Sequence, residues 1–167
     1  MEQFLETIPE YAKDLKLNLG TVLRQPELTA QQTWGTVVST VLAVRNPKLQ
    51  EALLAEAAKH LSEQALFAAK AAAAMMGMNN IFYRFRHLST NPKYGQMPAR
   101  LRMNVIRTHA SDPLDFELWC LAVSAINGCG ACVDSHEHVL REKGVSEETV
   151  LAAVRIASVI HALAAVV

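Results

Sequence analysis

The sequence predicts an all-α protein, and three observations support that prediction. Hydrophobic residues make up 51% of the 167 positions, and alanine-rich stretches are frequent. Only 7 glycines and 6 prolines are present. No stretch alternates apolar and polar residues with the period of two that is typical of a half-buried strand. Because 167 residues suffice for one domain with a sizeable core, residues 1–167 are interpreted as a single compact helical domain.

The boundaries of the helices follow from helix-breaking residues. Asn46–Pro47 interrupts one helical pattern, because the residue before a proline avoids the α conformation. Gly77 and Gly144 are expected to end helices, and Asn127–Gly128 to separate two others. Residues 86–100, which are rich in turn formers, are expected to be an irregular connection. The predicted helices are residues 4–15, 30–44, 48–59, 62–76, 116–126 and 130–143, with a last helix that starts at Ser146.

A weak internal repeat is visible when the sequence is compared with itself. WGTVVS at residues 34–39 aligns with WCLAVS at residues 119–124, an offset of 85. SEQALFAAKAAAA, from Ser62, aligns with SEETVLAAVRIAS, from Ser146, at an offset of 84. This pattern suggests two similar helical halves, at about residues 30–77 and 115–167, of which only the second carries a pair of cysteines. Val44 and Pro47 occupy the matching places in the first half.

Composition excludes several classes of partner. The formal net charge is zero, so no basic field favours a nucleic acid. The first twenty residues are charged throughout and lack the apolar core of a secretory signal. Residues 149–167 are apolar but contain Arg155 and His161, which is typical of a buried helix rather than a membrane span. We therefore expect a cytoplasmic protein with no membrane or nucleic-acid partner. In that reducing compartment a close cysteine pair is more often redox-active or metal-binding than structural.

The segment NGCGACVDSHEHVL, residues 127–140, contains Cys129, Cys132, His136 and His138. On one helix, Cys132 lies about 60° from Cys129 around the axis, and His136 lies within about 40° of Cys132. His138 lies about 180° from Cys129, so a single helix cannot direct all four side chains at one zinc ion. A closed zinc site would also need ligands from elsewhere, and the sequence contains no second CxxC.

A redox dithiol fits this geometry better. Two sulfurs separated by two residues at a helix start can form a small-ring disulfide, and the positive end of the helix favours the thiolate. His136 can accept or return a proton. Glu117, in the otherwise apolar FELWCLAVSAI, needs a partner if it points inward, and His136 on the neighbouring helix is the candidate. Zinc binding and inert packed thiols remain the alternatives. Cys120 is expected in the core and His138 on the surface.

Residues 116–145, FELWCLAVSAINGCGACVDSHEHVLREKGV, closely resemble the AhpD-type alkylhydroperoxidases of the carboxymuconolactone-decarboxylase-like superfamily. PEYAKDLKLNL, the WGT segment and MGMNNIFYRFRHL extend the resemblance along the chain. It implies an all-helical, commonly trimeric protein with no bound cofactor or metal. It also implies reduction of organic hydroperoxides, electron transfer to the peroxiredoxin AhpC, and recharging by dihydrolipoamide carried on a dihydrolipoamide acyltransferase.

The resemblance also assigns roles to individual residues. It implies that Cys132 becomes the sulfenic acid, that Cys129 is the resolving thiol and proton donor, and that both close a Cys129–Cys132 disulfide. His136 and Glu117 resemble the proton relay. Ala131 stands where some relatives have a second histidine, which puts any extra proton shuttle from that position in doubt. A lactone decarboxylase of the same superfamily is the remaining enzymatic alternative.

Overall fold

The structure is a computed structural model that describes residues 2–167, so Met1, the first residue of the predicted domain, lies outside the described residues. The part that is described contains α-helices and 3₁₀ turns and no strand, which confirms the all-α prediction. Two 3₁₀ turns occupy Glu10–Ala12 and Asn104–Arg107. The helices are α1 (Glu2–Glu6), α2 (Lys13–Val22), α3 (Ala30–Val44), α4 (Pro47–Ala57), α5 (Glu63–Leu88), α6 (Lys93–Gln96), α7 (Pro113–Ile126), α8 (Gly130–Glu142) and α9 (Glu147–Ala164).

Side-chain caps explain where most of the longer helices begin. Thr29 forms a capping box with Gln32 at the start of α3, and Asn46, Ser62, Asp112 and Ser146 accept backbone N–H bonds at the starts of α4, α5, α7 and α9. Each of these caps satisfies a first-turn N–H group that has no acceptor within its own helix.

The core is built from α3, α5, α7 and α9, in which α3 and α7 pack on each other and on both α5 and α9. One hydrophobic cluster lies between α3, α7 and α9 and extends to α2 and α4. A second cluster lies between α3, α5 and α7, where small alanines of α5 face Trp119. A Cβ at Gly35 would lie 2.2 Å from the Trp119 ring, so the close approach of α3 and α7 requires glycine there.

Two predicted helix boundaries are wrong. The expected helix over residues 4–15 is interrupted between α1 and α2, because Pro9 cannot donate to a helical bond and disfavours the α conformation of the residue before it. The helix expected to close at Gly77 continues for eleven further residues to Leu88. Gly77 costs about 1 kcal/mol of helix propensity relative to alanine, and the tertiary contacts of the turns that follow, described below, outweigh that cost.

The helix starts recur with a nearly constant offset. The residues that precede α3, α4 and α5 are Thr29, Asn46 and Ser62, and those that precede α7, α8 and α9 are Asp112, Cys129 and Ser146, at separations of 83, 83 and 84 residues. With this offset of 83 residues, the counterparts of Cys129 and Cys132 are Asn46 and Leu49. The offset of 85 from the sequence comparison had placed them two residues earlier, at Val44 and Pro47. The division into halves 30–77 and 115–167 stays a prediction.

Within residues 2–167, no helix is long and apolar enough to cross a lipid bilayer.

Candidate active site

The cysteine-bearing segment begins at a turn that is tied to α5. Gly128 has φ +65°, a conformation that favours glycine. The backbone N–H of Cys129 donates to the Ser124 carbonyl at 3.1 Å. Asn80 of α5 donates to the Ser124 hydroxyl at 2.9 Å and accepts from the Asn127 carboxamide at 2.9 Å, and Arg84 donates to the Asn127 carbonyl. These bonds hold the start of α8 against the C-terminal part of α5.

Cys129 and Cys132 are joined by a disulfide, with their Cα atoms 5.2 Å apart. Cys129 precedes the first residue of α8, and among the described residues its side chain makes no capping bond. Cys132 lies in the first turn of α8. Cys129 is completely buried, whereas 7% of Cys132 is exposed. The predicted position of the CxxC at a helix N-terminus is therefore confirmed, and Cys132 is the less completely buried of its two residues.

Glu117 and His136 lie next to each other, as the pairing hypothesis requires. His136 Nδ1 is 2.6 Å from Glu117 Oε2, and both side chains are largely buried. An ionised carboxylate can only accept, so Nδ1–H donates to Glu117 and leaves Nε2 of a neutral imidazole with a free lone pair. Nε2 lies 3.3 Å from the Met76 sulfur. The arrangement orients His136 as a base one helical turn beyond Cys132.

Cys132 and His136 face a cavity of about 300 Å³. Its wall is mainly apolar, so a small organic molecule could reach the Cys132 sulfur there. The lining residues are Met76, Asn79, Tyr83, Met103, Ile106, Ala131, Cys132, Ser135 and His136. Ala131 occupies the position of the second histidine of some relatives, and it lines the cavity without a titratable group.

The remaining histidines and cysteine of this region lie apart from the cavity. Cys120 is fully buried, and burial, followed by the nearby Glu117 carboxylate, raises the pKa of its thiol well above its usual value. It is therefore a core residue, as predicted. His138 is exposed and pairs with Glu142 on the surface, also as predicted. Within the described residues, no three His, Cys, Asp or Glu side chains form a cluster that could hold a metal ion.

Sequence reasoning missed the contribution of α5 to this site. Met76, Asn79, Asn80 and Tyr83 all lie at or beyond the point where a helix end at Gly77 was expected. The adjacent Asn79 and Asn80 were the available signal, because two amides in a helix rich in alanine and methionine require polar partners if they are buried. Both are buried.

Comparison with known proteins agrees with this geometry. The model of the carboxymuconolactone decarboxylase family matches residues 92–167. The chain is 77% identical to an alkyl hydroperoxide reductase AhpD of Solibacter usitatus over 99% of its length and 94% of that protein. It is 66% identical to an AhpD of Acidobacterium capsulatum, over 99% of this chain and 91% of that protein. It is 55% identical to an AhpD of Streptomyces griseus, over 98% of this chain and 92% of that protein. Similarity of this extent over the whole domain means that the chain belongs to the AhpD family of alkyl hydroperoxide reductases.

Proposed function

We propose that this protein is an antioxidant thiol peroxidase of the cytoplasm, which reduces organic hydroperoxides through a Cys129–Cys132 dithiol/disulfide cycle. The observation that carries the proposal is the shared cavity of Cys132 and His136, behind which Glu117 holds the imidazole at 2.6 Å. The apolar wall suits the alkyl or aryl group of an organic hydroperoxide better than it suits hydrogen peroxide.

The cycle assigns each side chain one step. His136, oriented by Glu117, takes the proton of Cys132, and the thiolate attacks the terminal oxygen of ROOH. The O–O bond breaks, Cys132 becomes a sulfenic acid, and Cys129 gives its proton to the departing RO⁻. The Cys129 thiolate then attacks the Cys132 sulfur, and the sulfenic oxygen leaves as water with the proton held by His136. Two thiols and ROOH thus give a disulfide, ROH and water.

An external dithiol must reopen the disulfide, and we propose dihydrolipoamide in that role. It would be carried on the lipoyl group of a dihydrolipoamide acyltransferase, and the reduced protein would in turn reduce the disulfide of the peroxiredoxin AhpC. Thiol–disulfide exchange needs only access of an attacking thiolate to one sulfur, and we propose that the cavity lined by Cys132 offers that access. This chemistry requires no bound cofactor or metal. Both partners rest on the family resemblance.

We also propose that the protein assembles as a trimer, with α5 in the interface. Four large apolar side chains of α5 are at least half exposed: Phe67, Ile81, Phe85 and Leu88. At about 100° per residue they fall within about 60° of one another around the helix axis. Met76, Asn79 and Tyr83 fall on the opposite side of α5, toward the cavity. Exposed apolar side chains gathered on one side of a helix are typical of an interface between subunits. The number of copies rests on the family resemblance.

The test of the proposed activity is a thiol balance. Reduced, metal-free protein is mixed with a slight excess of tert-butyl hydroperoxide, and thiols are mapped by mass spectrometry before and after addition of dihydrolipoamide. We expect two thiols to be lost as a Cys129–Cys132 disulfide, Cys120 to remain a thiol, and dihydrolipoamide to restore both.

Other results would contradict the proposal. Thiols that stay reduced in folded protein would assign the motif to packing, or to another reaction of the superfamily such as lactone decarboxylation. Stoichiometric zinc in the purified protein, bound by the same cysteines, would assign it to metal binding.

A further inference from the structure

Asn79 has an unusual environment for a buried polar residue. Only 6% of the residue is exposed, and within residues 2–167 its buried carboxamide oxygen, Oδ1, has no hydrogen-bond partner. It is the single buried side-chain oxygen or nitrogen in that range to lack one. Buried carboxamides are normally satisfied, so an unpaired oxygen in a native site requires an explanation, and a role in binding a ligand is one.

The neighbouring Asn80 shows what a structural asparagine looks like on the same helix. Asn80 is fully buried, and its carboxamide donates to Ser124 and accepts from Asn127, each at 2.9 Å. Both polar atoms of Asn80 therefore have protein partners. Asn79 points elsewhere, because successive residues of a helix are about 100° apart, and its side chain forms part of the wall of the cavity that Cys132 and His136 also line.

We propose that Asn79 binds the –O–O–H group of the hydroperoxide and orients it for attack by Cys132. The inference rests on the proposed peroxidase function. The hydroxyls of Tyr83 and Ser135 also line this cavity, but Asn79 contributes the one carboxamide among its lining residues. A carboxamide can accept from the O–H of a hydroperoxide and donate to its other oxygen. Oδ1 itself is buried, so the carboxamide turns about its last bond to present it, and no hydrogen bond to Oδ1 opposes that turn. The terminal oxygen of the hydroperoxide, which carries the hydrogen, is the atom that the Cys132 thiolate attacks.

The amide nitrogen of Asn79 has a complementary role in the same step. As the Cys132 sulfur forms its bond to the terminal oxygen, the O–O bond breaks and negative charge grows on the oxygen that stays with the alkyl group. An Nδ2–H donor held beside that oxygen stabilises the charge until the Cys129 proton reaches it. Sulfur is oxidised to the sulfenic acid, and the peroxide is reduced to the alcohol. Asn79 neither gains nor loses a proton.

The test compares Asn79→Leu with Asn80→Leu, the same substitution at adjacent positions. Stopped-flow kinetics with tert-butyl hydroperoxide measure the second-order rate constant for oxidation of the reduced protein. We expect Asn79→Leu to lower it about tenfold to a hundredfold. Reduction of its disulfide by dithiothreitol, and alkylation of Cys132 by iodoacetamide from pH 5 to pH 9, should stay within about twofold, since these reactions involve no peroxide.

Thermal unfolding supplies an independent measurement. Asn79→Leu removes an unpaired buried oxygen, so its unfolding midpoint should equal or exceed that of the wild type. Asn80→Leu leaves the Ser124 hydroxyl and the Asn127 carboxamide without their Asn80 partner. It should therefore clearly lower the midpoint of thermal unfolding. Asn79→Ala serves as the second variant if leucine is too large for the site.

Several outcomes would overturn the inference. An unchanged peroxide rate in folded Asn79→Leu or Asn79→Ala would remove Asn79 from the reaction. A fall in peroxide oxidation, alkylation and disulfide reduction together would mean that Asn79 acts on the thiol rather than on the peroxide. A midpoint lowered as far as that of Asn80→Leu would make Asn79 structural. If the wild type itself fails to react with peroxide, the proposed function fails first, which is a distinguishable result.

Discussion

The starts of α4 and α8 occupy matching places in the order of helices, yet they serve different purposes. At the start of α4, Asn46 Oδ1 accepts from the Leu49 N–H at 3.1 Å, and Asn46 Nδ2 donates to the carbonyls of Ala164 and Val167. At the start of α8, 83 residues later, Cys129 makes no capping bond among the described residues and is bonded to Cys132 instead.

The difference shows how one helix end can be used for stability or for chemistry. The Asn46 side chain satisfies the first turn of α4 and fastens the end of the chain, and Leu49 is fully buried in the core. At the start of α8, the described side chain of Cys129 makes no capping bond. The positive end of the helix is therefore available to a thiolate. The turn is held by Asn80 and Arg84 of α5 instead.

The strongest test of this contrast removes the chemical group of α8. Cys132→Ser should lower peroxidase turnover by about a thousandfold or more, because a hydroxyl at this place cannot form the sulfenic acid or the disulfide. Turnover of tert-butyl hydroperoxide with dihydrolipoamide as reductant measures the effect. Circular dichroism should show an unchanged helix content.

Cys120→Ser is the matched control for Cys132→Ser, since it makes the same atomic change in a thiol outside the cavity. Its turnover should remain close to that of the wild type, although a hydroxyl in the apolar core costs roughly 1–3 kcal/mol of stability. If Cys120→Ser lost turnover in folded protein and Cys132→Ser kept it, the assignment of the site to α8 would be wrong.

The second test addresses the carboxylate behind His136. Glu117→Gln keeps the size of the side chain and removes its charge, so His136 loses the partner that stabilises its protonated form. We expect turnover to fall by about tenfold to a hundredfold, with the loss in the peroxide step of the cycle. Rapid-mixing measurements of thiol oxidation isolate that step. Unchanged kinetics would remove Glu117 and the relay from the mechanism.

The third test removes the side-chain cap at the start of α4. Asn46→Ala should cost about 1 to 2 kcal/mol of unfolding free energy, since a cap of α4 and two bonds to the end of the chain are lost together. The folded variant should reduce peroxide at the wild-type rate. Urea unfolding and turnover, measured on the same preparation, check both expectations. A fall in turnover without a fall in stability would contradict a purely structural role for this helix start.

The position of the CxxC at the start of α8, and Glu117 as the partner of His136, could be predicted because each prediction rests on a local sequence pattern. The spacing of Cys129, Cys132 and His136 sets their positions on one helix, and an isolated carboxylate in the apolar α7 segment needed a partner. The course of α5 could not be predicted in the same way. A glycine commonly ends a helix, and only the bonds of Asn80 and Arg84 to the loop before α8 show why this helix continues.

The close packing of α3 on α7 is equally inaccessible from the sequence. Gly35 is required by the position of Trp119, 84 residues away along the chain, and no local pattern reports such a contact. For the same reason the unpaired oxygen of Asn79 becomes visible only when the surrounding helices are in place.

The smallest expected effect concerns pH, and it extends the contrast between matching helix starts to the segments that precede α3 and α7. His109, before α7, stacks on Phe116 with ring centroids 4.1 Å apart. Burial lowers the pKa of His109, and the nearby carboxylates of Glu117 and Asp112 oppose that shift in part. The place 83 residues earlier is Pro26, which does not titrate.

A lowered pKa in the folded protein means that the unfolded chain binds the proton more readily. The contribution of His109 to stability is therefore fully present above the ordinary histidine value of about 6.5, and it is lost as pH falls from there through the lowered pKa. His109→Phe keeps an aromatic ring on Phe116 and cannot be protonated, so its urea unfolding free energy should fall less between pH 7.5 and pH 5 than that of the wild type. The difference between the two proteins should be smaller than the effect of Asn46→Ala. Parallel pH curves for both proteins would show that His109 does not contribute to acid sensitivity, whereas a flatter curve for the variant would place one acid-sensitive contact in the segment before α7.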